Sequence, residues 1–373
     1  MKSLSCALIS GFALSAVASP VIDPRVYSIN ERGMIQKSPR HETGREINVE
    51  SDTVTAAEVT SLQFYAEYAA ASYCNSNVSV GTAISCDGDA CAEVASAGAT
   101  VAATFSGVIT DVEGFLSTDD TNELIVVSIR GSSSVRNWIT DFVFLQVGCD
   151  LVFGCLIHAG FMTAWLEIEE KLLATLATET AAHPSYQIVF TGHSLGAAVA
   201  TVAAAFARNE GYAIDLYTYG SPRVGNDVFV KSVTDQAGSE NRVTHLDDPV
   251  PRLPPILLNY RHTSPEYWLS DGTSNTTDYT AADIKVCDGF ANINCNAGTT
   301  GLDTDAHGYY FQVIDGCGPG GFEFRRRMMA RDVDSNVTRD MATSPPQDVT
   351  DAVLLAKLDD WVAQDIEFVA NLS

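Results

Sequence analysis

Basic residues are scarce in this chain. Lys and Arg number 22 against 47 Asp and Glu, a formal charge of −25 over 373 residues. That balance argues against a nucleic-acid partner, which needs basic patches. It also disfavours electrostatic docking on anionic membranes. Long apolar runs are missing as well. No stretch reaches the roughly 18 uninterrupted apolar residues of a transmembrane helix, so no span is expected. The cysteines form no C-x-x-C pair and the histidines do not cluster. No zinc or other metal site is therefore expected, and no organic cofactor. No internal repeat is visible. What the chain does have is apolar bulk: 46% of its residues are hydrophobic. That is enough for a sizeable core and excludes global disorder. The length suits one large domain with processed ends, and a monomer is expected.

The first 18 residues read as a secretory signal. Lys2 supplies the charge, Leu8 to Val17 a short apolar run, and Ala16-Val17-Ala18 a small-residue cleavage site. Secretion to the extracellular space is the implied destination. Of nine cysteines, Cys6 falls inside that signal. The other eight are Cys74, Cys86, Cys91, Cys149, Cys155, Cys287, Cys295 and Cys317. An even number in a secreted chain suggests four disulfides. Local spacing favours Cys86–Cys91, Cys149–Cys155 and Cys287–Cys295 as short clips. Cys74 and Cys317 would then close one large loop, worth about 4–5 kcal/mol in the chain-entropy picture. Asn77, Asn275, Asn336 and Asn371 each open a glycosylation sequon.

Residues 19–54 are polar and rich in charge, with Pro20, Pro24 and Pro39, and read as a pro-segment or flexible arm. From 55 to 317 helix-like and strand-like stretches alternate, the pattern of an α/β domain. Glu58 to Tyr73, Phe161 to Thr178 and Leu195 to Arg208 are predicted helices. Leu124 to Ile129 is a continuous apolar run, as expected for a strand buried on both faces. Tyr186 to Thr191, Leu216 to Tyr219 and Arg242 to Leu246 are predicted strands. Residues 318–373 form a C-terminal extension. It contains Arg325-Arg326-Arg327, a candidate processing site, a stretch expected to be partly disordered, and an amphipathic helix over Val349 to Leu372.

One motif carries chemistry. Gly192-His193-Ser194-Leu195-Gly196 has the G-x-S-x-G form. An apolar strand runs into it and an alanine-rich helix runs out. A turn that sharp strains the serine backbone, and the flanking glycines let strand and helix approach. The serine oxygen would project beyond the sheet, at a helix start whose dipole favours developing negative charge. A serine needs a base at neutral pH. Downstream lie His245, His262 and His307. His307 sits in a loop near the domain end and suits a base that must reach the elbow. His245 and His262 also read as satisfied structural histidines. The acid that orients the imidazole is Asp247 or Asp248, at the end of the strand Arg242 to Leu246. Pattern does not choose between them, although Pro249 restricts the backbone of Asp248.

Several motifs occur together: Ala70-Ala71-Ser72-Tyr73-Cys74, Ile129-Arg130-Gly131-Ser132, Val189 to Gly196, Tyr219-Gly220-Ser221-Pro222-Arg223-Val224-Gly225-Asn226, and Asp248-Pro249-Val250-Pro251-Arg252-Leu253-Pro254. In combination they make residues 55–317 resemble the class 3 lipases of filamentous fungi, whose relatives include feruloyl esterases. The resemblance implies an α/β-hydrolase fold, with a mostly parallel central sheet flanked by helices and a short helical lid. It implies the catalytic triad Ser194, Asp248 and His307, with an oxyanion hole from Ser132 and Leu195. Each oxyanion donor is typically worth ~10²–10³ in turnover. It implies the disulfides Cys74–Cys317, Cys86–Cys91 and Cys149–Cys155, whereas Cys287–Cys295 resembles a clip of the feruloyl esterases. Two features depart from the family. Ala197-Ala198 follows the elbow where a further glycine is common, with no loss of activity expected, and the tail after Cys317 is long.

Substrate class turns on the segment after Ser132. Val135, Trp138, Ile139 and Phe142 fall at helical spacing and form one apolar face, with Arg136, Asn137, Thr140 and Asp141 opposite. Exposing those four side chains to water costs up to ~6–12 kcal/mol, at ~1.5–3 each. The lid is expected closed in water and open at an oil surface. An immobile helix packed on the core is the competing reading. The expected activity is a secreted triacylglycerol lipase working on a lipid or ester substrate at the oil–water interface. A feruloyl esterase or a mono- and diacylglycerol lipase on the same fold is the alternative, and a non-catalytic lipid-binding protein the remote one.

Overall fold

The structure is a computed structural model that describes residues 27–29, 35–37, 54–132, 144–300, 303–316 and 351–371. The expected signal, most of the arm, Cys317 and all four lid residues (Val135, Trp138, Ile139 and Phe142) lie outside the described residues. The chain divides into two units, Met1–Ser51 and Asp52–Ser373. In the first, β1 (Tyr27–Ile29) pairs antiparallel with β2 (Ile35–Lys37).

The second unit is an eight-stranded sheet between helices. Its strands are β3 (Thr100–Ser106), β4 (Glu113–Asp119), β5 (Leu124–Ile129), β8 (Gln187–His193), β9 (Ile214–Tyr219), β10 (Glu240–His245), β11 (Glu266–Leu269) and β12 (Ile284–Cys287). The order is β12-β11-β10-β9-β8-β5-β4-β3. The run β5-β8-β9-β10-β11 is parallel, and antiparallel pairs finish both margins. A separate ribbon joins β6 (Gln146–Gly148) to β7 (Leu156–His158). This is the α/β architecture expected, with a mostly parallel centre.

Period-two alternation explains why β5 is a continuous apolar run. Ile125, Val127 and Ile129 enter one buried cluster, shared with α3 (Ala159–Ala182) and α4 (Leu195–Asn209). Leu124 and Val126 enter the other, built on α1 (Ala56–Asn75). A strand sandwiched by helices has no polar face. The remaining helices are α2 (Ala92–Ala97), α5 (Asp227–Thr234) and α6 (Asp351–Ala370). Helix α1 begins earlier than predicted because Thr55 and Glu58 form a capping box, each side chain accepting from the other's backbone amide. The C-terminal helix docks on the domain. Leu358, Val362 and Asp365 are buried at helical spacing, and Trp361 packs edge-on against Phe144 at 5.1 Å.

Three disulfides close the short loops expected: Cys86–Cys91, Cys149–Cys155 and Cys287–Cys295. Cys74 is disulfide-bonded too; its expected partner Cys317 lies outside the described residues. Among the described residues no helix is long and apolar enough to cross a membrane.

Candidate active site

Four parallel strands deliver the candidate residues to one edge of the sheet. β5 ends at Ile129 and leads to Ser132, β8 ends at His193 and leads to Ser194, and β10 ends at His245 and leads to Asp248. β9 leads to Gly220. In open parallel sheets the carboxyl edge is where sites assemble.

Ser194 is the N-cap of α4 and adopts φ 58°, ψ −127°. A side chain in the left-handed region is strained and persists only where its surroundings enforce it. Here the enforcement is close packing. A Cβ on Gly192 would come within 2.6 Å of the Gly196 carbonyl carbon, and one on Gly196 would collide with the Ile129 oxygen. Only glycine lets strand and helix cross this tightly. The Ser194 amide donates to Tyr219 O at 2.9 Å. The half-buried Leu195 is the first residue of α4. Its amide lies beyond reach of any carbonyl of its own helix. Ser132 is half-buried, three residues past β5.

His307 lies in a short 3-10 turn, Ala306–Gly308, and is 4% exposed. Its Nδ1 meets Asp248 Oδ2 at 2.8 Å. Asp248, not Asp247, makes this contact and is fully buried. Tyr310 donates its hydroxyl to the same oxygen at 2.5 Å, and the Val250 amide donates to Oδ1 at 2.9 Å. Three donors thus meet one buried carboxylate, which is how a buried anion is tolerated. Burial and the Asp248 charge push the Tyr310 hydroxyl well above its ordinary pKa, so it remains a donor. The His307 ring edge packs on the chain beside the elbow: a Cβ on Gly220 would sit 3.0 Å from Cε1. Nε2 of His307 is buried and has no hydrogen-bond partner among the described residues.

Two other histidines hold the His307 turn. His193 Nε2 lies 2.9 Å from His307 O, and His245 Nδ1 lies 2.9 Å from Ala306 O. Facing a carbonyl, each of these nitrogens is the donor. The opposite nitrogens accept from Tyr73 at 2.8 Å and Tyr279 at 2.7 Å. Burial lowers the pKa of both rings, with the neighbouring His307 adding to the effect at His193. Both are neutral. His262 is also structural, donating from Nε2 to Pro251 O at 2.7 Å. Sequence reasoning missed Tyr310, Tyr279 and Asn296. Asn296 donates to the carbonyls of Leu246 and Asp248 at 3.1 and 3.0 Å. Tyr310 could have been found from its place three residues after His307. Asn296 carries no signal in the sequence. Among the described residues no group of three or more His, Cys, Asp or Glu side chains is arranged to hold a metal ion.

Comparison with known proteins decides the family. The family described as Lipase (class 3) matches residues 126–258. A secreted mono- and diacylglycerol lipase from Fusarium solani is 50% identical over 287 residues, covering 77% of this chain and 86% of the relative. The chain belongs to the class 3 lipases. Another secreted mono- and diacylglycerol lipase, from Penicillium cyclopium, is 42% identical and covers 74% of this chain and 92% of the relative. The crystal structure of a mono- and diacylglycerol lipase from Aspergillus oryzae aligns with TM-score 0.67 and 41% identity. It covers 71% of this chain and 99% of that one. A lipase of this class hydrolyses lipid esters. Ser194 and Asp248 follow β8 and β10 at the carboxyl edge of the sheet, and His307 meets Asp248 there.

Proposed function

We propose that this class 3 lipase is secreted and cleaves mono- and diacylglycerols, with Ser194, His307 and Asp248 as its triad. The observation that carries the chemistry is the His307–Asp248 contact beside a serine held at positive φ. Ser194 attacks the ester carbonyl as His307 takes its proton through Nε2. Asp248 holds the ring and balances the imidazolium charge. The amide of Leu195 and the amide and hydroxyl of Ser132 stabilise the oxyanion. His307 returns the proton to the leaving glycerol oxygen. Water then repeats the sequence and releases the fatty acid.

Partial acylglycerols are preferred over triacylglycerols because both relatives above carry that activity in their names. A triacylglycerol lipase remains the second reading, resting on the apolar face of Val135, Trp138, Ile139 and Phe142 in the sequence. The test is fatty-acid release from emulsified monoolein, diolein and triolein, with methyl ferulate beside them. Rates on monoolein and diolein well above triolein support the proposal. Equal or faster triolein hydrolysis selects the second reading, and ferulate turnover without lipolysis rejects both. A soluble short-chain ester taken through its solubility limit tests the lid: a jump in rate supports opening at an interface, and smooth saturation counts against it.

A further inference from the structure

The hairpin turn between β3 and β4 leaves the sheet at the edge that carries Ser194. Ser106 pairs with Glu113 and Gly114 with Ile129, and the Arg130 amide donates to Glu113 O at 2.8 Å. The turn therefore stands beside the strand end that delivers Ser132. Its tip is apolar and bare: Val108 is 97% exposed and Ile109 80% exposed, with Leu166 of α3 nearby in sequence to their anchor and 57% exposed. A tip of this kind would ordinarily be free to fold its side chains back. This one is held. The carboxylate of Glu167 on α3 accepts from the amides of Val108 and Ile109, each at 2.7 Å, from the Thr110 amide at 2.9 Å and from the Thr110 hydroxyl at 2.5 Å. The Gly107 amide closes the turn on Val112 O at 2.7 Å. One side chain thus fixes three consecutive peptide units while the two residues at the apex point into water.

We infer that Val108 and Ile109 form a preformed anchor that enters an uncharged lipid phase and sets the carboxyl edge of the sheet against it. The inference rests on the proposed function, which requires the enzyme to draw its ester from such a phase. Charge selects the occupant. Beside the tip, Asp111 and Glu113 both pair with Arg130, at 3.7 and 2.5 Å, so this trio keeps one net negative charge, on a chain of formal charge −25. An anionic surface is repelled by so acidic a chain, with no cationic excess at the tip to offset it, whereas an acylglycerol surface carries no charge. Rigidity helps as well, since a preordered tip loses little conformational freedom on insertion. Thr110 first, then the amide of Ile109, holds the Glu167 carboxyl down at about 2. The clamp therefore stays ionised across the pH range in which a secreted enzyme works.

Complete transfer of a Val and an Ile side chain from water to hydrocarbon corresponds to roughly two to four powers of ten in a partition constant. Half immersion gives about 10- to 100-fold. The test uses the full chain, as wild type and as the Val108→Ser/Ile109→Ser double variant, floated with droplets of an uncleavable trialkyl glyceryl ether. The expected result is a partition constant about 10- to 100-fold lower in the double variant. Turnover of dissolved p-nitrophenyl butyrate should remain within about twofold. A separate Ile109→Trp variant should show a blue shift of its added emission when droplets are supplied. An unchanged partition constant, or an Ile109→Trp variant whose emission does not move, overturns the anchor. Wild-type protein that floats with droplets yet releases no fatty acid from emulsified monoolein, diolein or triolein would overturn the proposed function and leave the anchor standing.

Discussion

Lowering the pH from 6.5 to 5.5 should destabilise this protein by about 1–2 kcal/mol. Three buried histidines set that loss: His193, His245 and His262, which are 1%, 0% and 7% exposed. Burial depresses all three pKa values below the ordinary 6.5, with Arg242 and Arg223 adding to the effect at His262. Each is neutral in the folded chain, donating to a backbone carbonyl through one nitrogen. On unfolding each regains its ordinary affinity and takes up a proton below pH 6.5. The unfolded state binds more protons in that window, so stability is lost as pH falls. Integrated over that one unit, His193 and His262, held well below 6.5, contribute up to about 1 kcal/mol each, and His245, lowered by burial, contributes up to as much again. Glu240 works the other way. Burial pushes it up to about 7 against the pull of Arg208, which offsets up to about 1 kcal/mol. The window lies above the ordinary carboxylate range, which keeps most acidic groups out of it. The assay is urea unfolding at the two pH values, checked by thermal unfolding, where the midpoint should drop by roughly 2–8 °C. In a His262→Gln variant, which keeps a donor for Pro251 O, the difference should shrink by about 1 kcal/mol. Stability that is flat or rises between pH 6.5 and 5.5 would refute the assignment of these histidines as neutral and buried.

Three further outcomes follow from the site and the tail. Tyr310→Phe removes one of three donors to buried Asp248 and should cost about 1.5–3 kcal/mol of stability, with reduced kcat, measured by calorimetry and steady-state kinetics; unchanged values would mean the hydroxyl does not serve Asp248. Asp365→Ala strips the ion pair from Arg223, and with it the acceptor of the Ile256 and Leu257 amides. That change should cost about 3–5 kcal/mol and expose α6 to limited proteolysis, whereas a helix equally protected in both proteins would show that the docking is held elsewhere. Ser132→Ala should lower kcat by about 10-fold or more with little change in KM if its hydroxyl adds to the oxyanion hole; an unchanged kcat would leave only its amide in that role.

The elbow and the central sheet were legible because local pattern and tertiary role coincide there. Leu124 to Ile129 reads as a doubly buried strand and is one. Leu195 begins a helix in both the sequence and the structure. The marginal strands β3, β4, β11 and β12 carry no such coincidence. Strand β3 alternates half-buried and buried positions, and β11 and β12 are four residues each, too short for a period to register. Apolar periodicity starts α1 at Glu58, whereas the Thr55–Glu58 capping box starts the helix at Ala56. At the site, spacing could nominate His307 but not choose between Asp247 and Asp248, since that depends on how the chain turns after β10. In the structure Asp248 faces the ring, while the Asp247 carbonyl accepts from Arg252. The tail shows the same limit. Val353, Leu354, Leu358, Trp361 and Ile366 announced an amphipathic helix, but nothing near Asp365 in sequence announces Arg223 as its partner. That pairing spans 142 positions.

The most direct test of the central claim is covalent labelling of the nucleophile. The wild-type protein is treated with diethyl p-nitrophenyl phosphate, and intact mass, peptide mapping and residual esterase activity are followed together. One diethylphosphoryl group per chain, on the peptide bearing Ser194, appearing in step with loss of activity and absent from Ser194→Ala, is the predicted result. Activity lost with the label on another residue, or ester turnover retained by Ser194→Ala, would contradict the assignment.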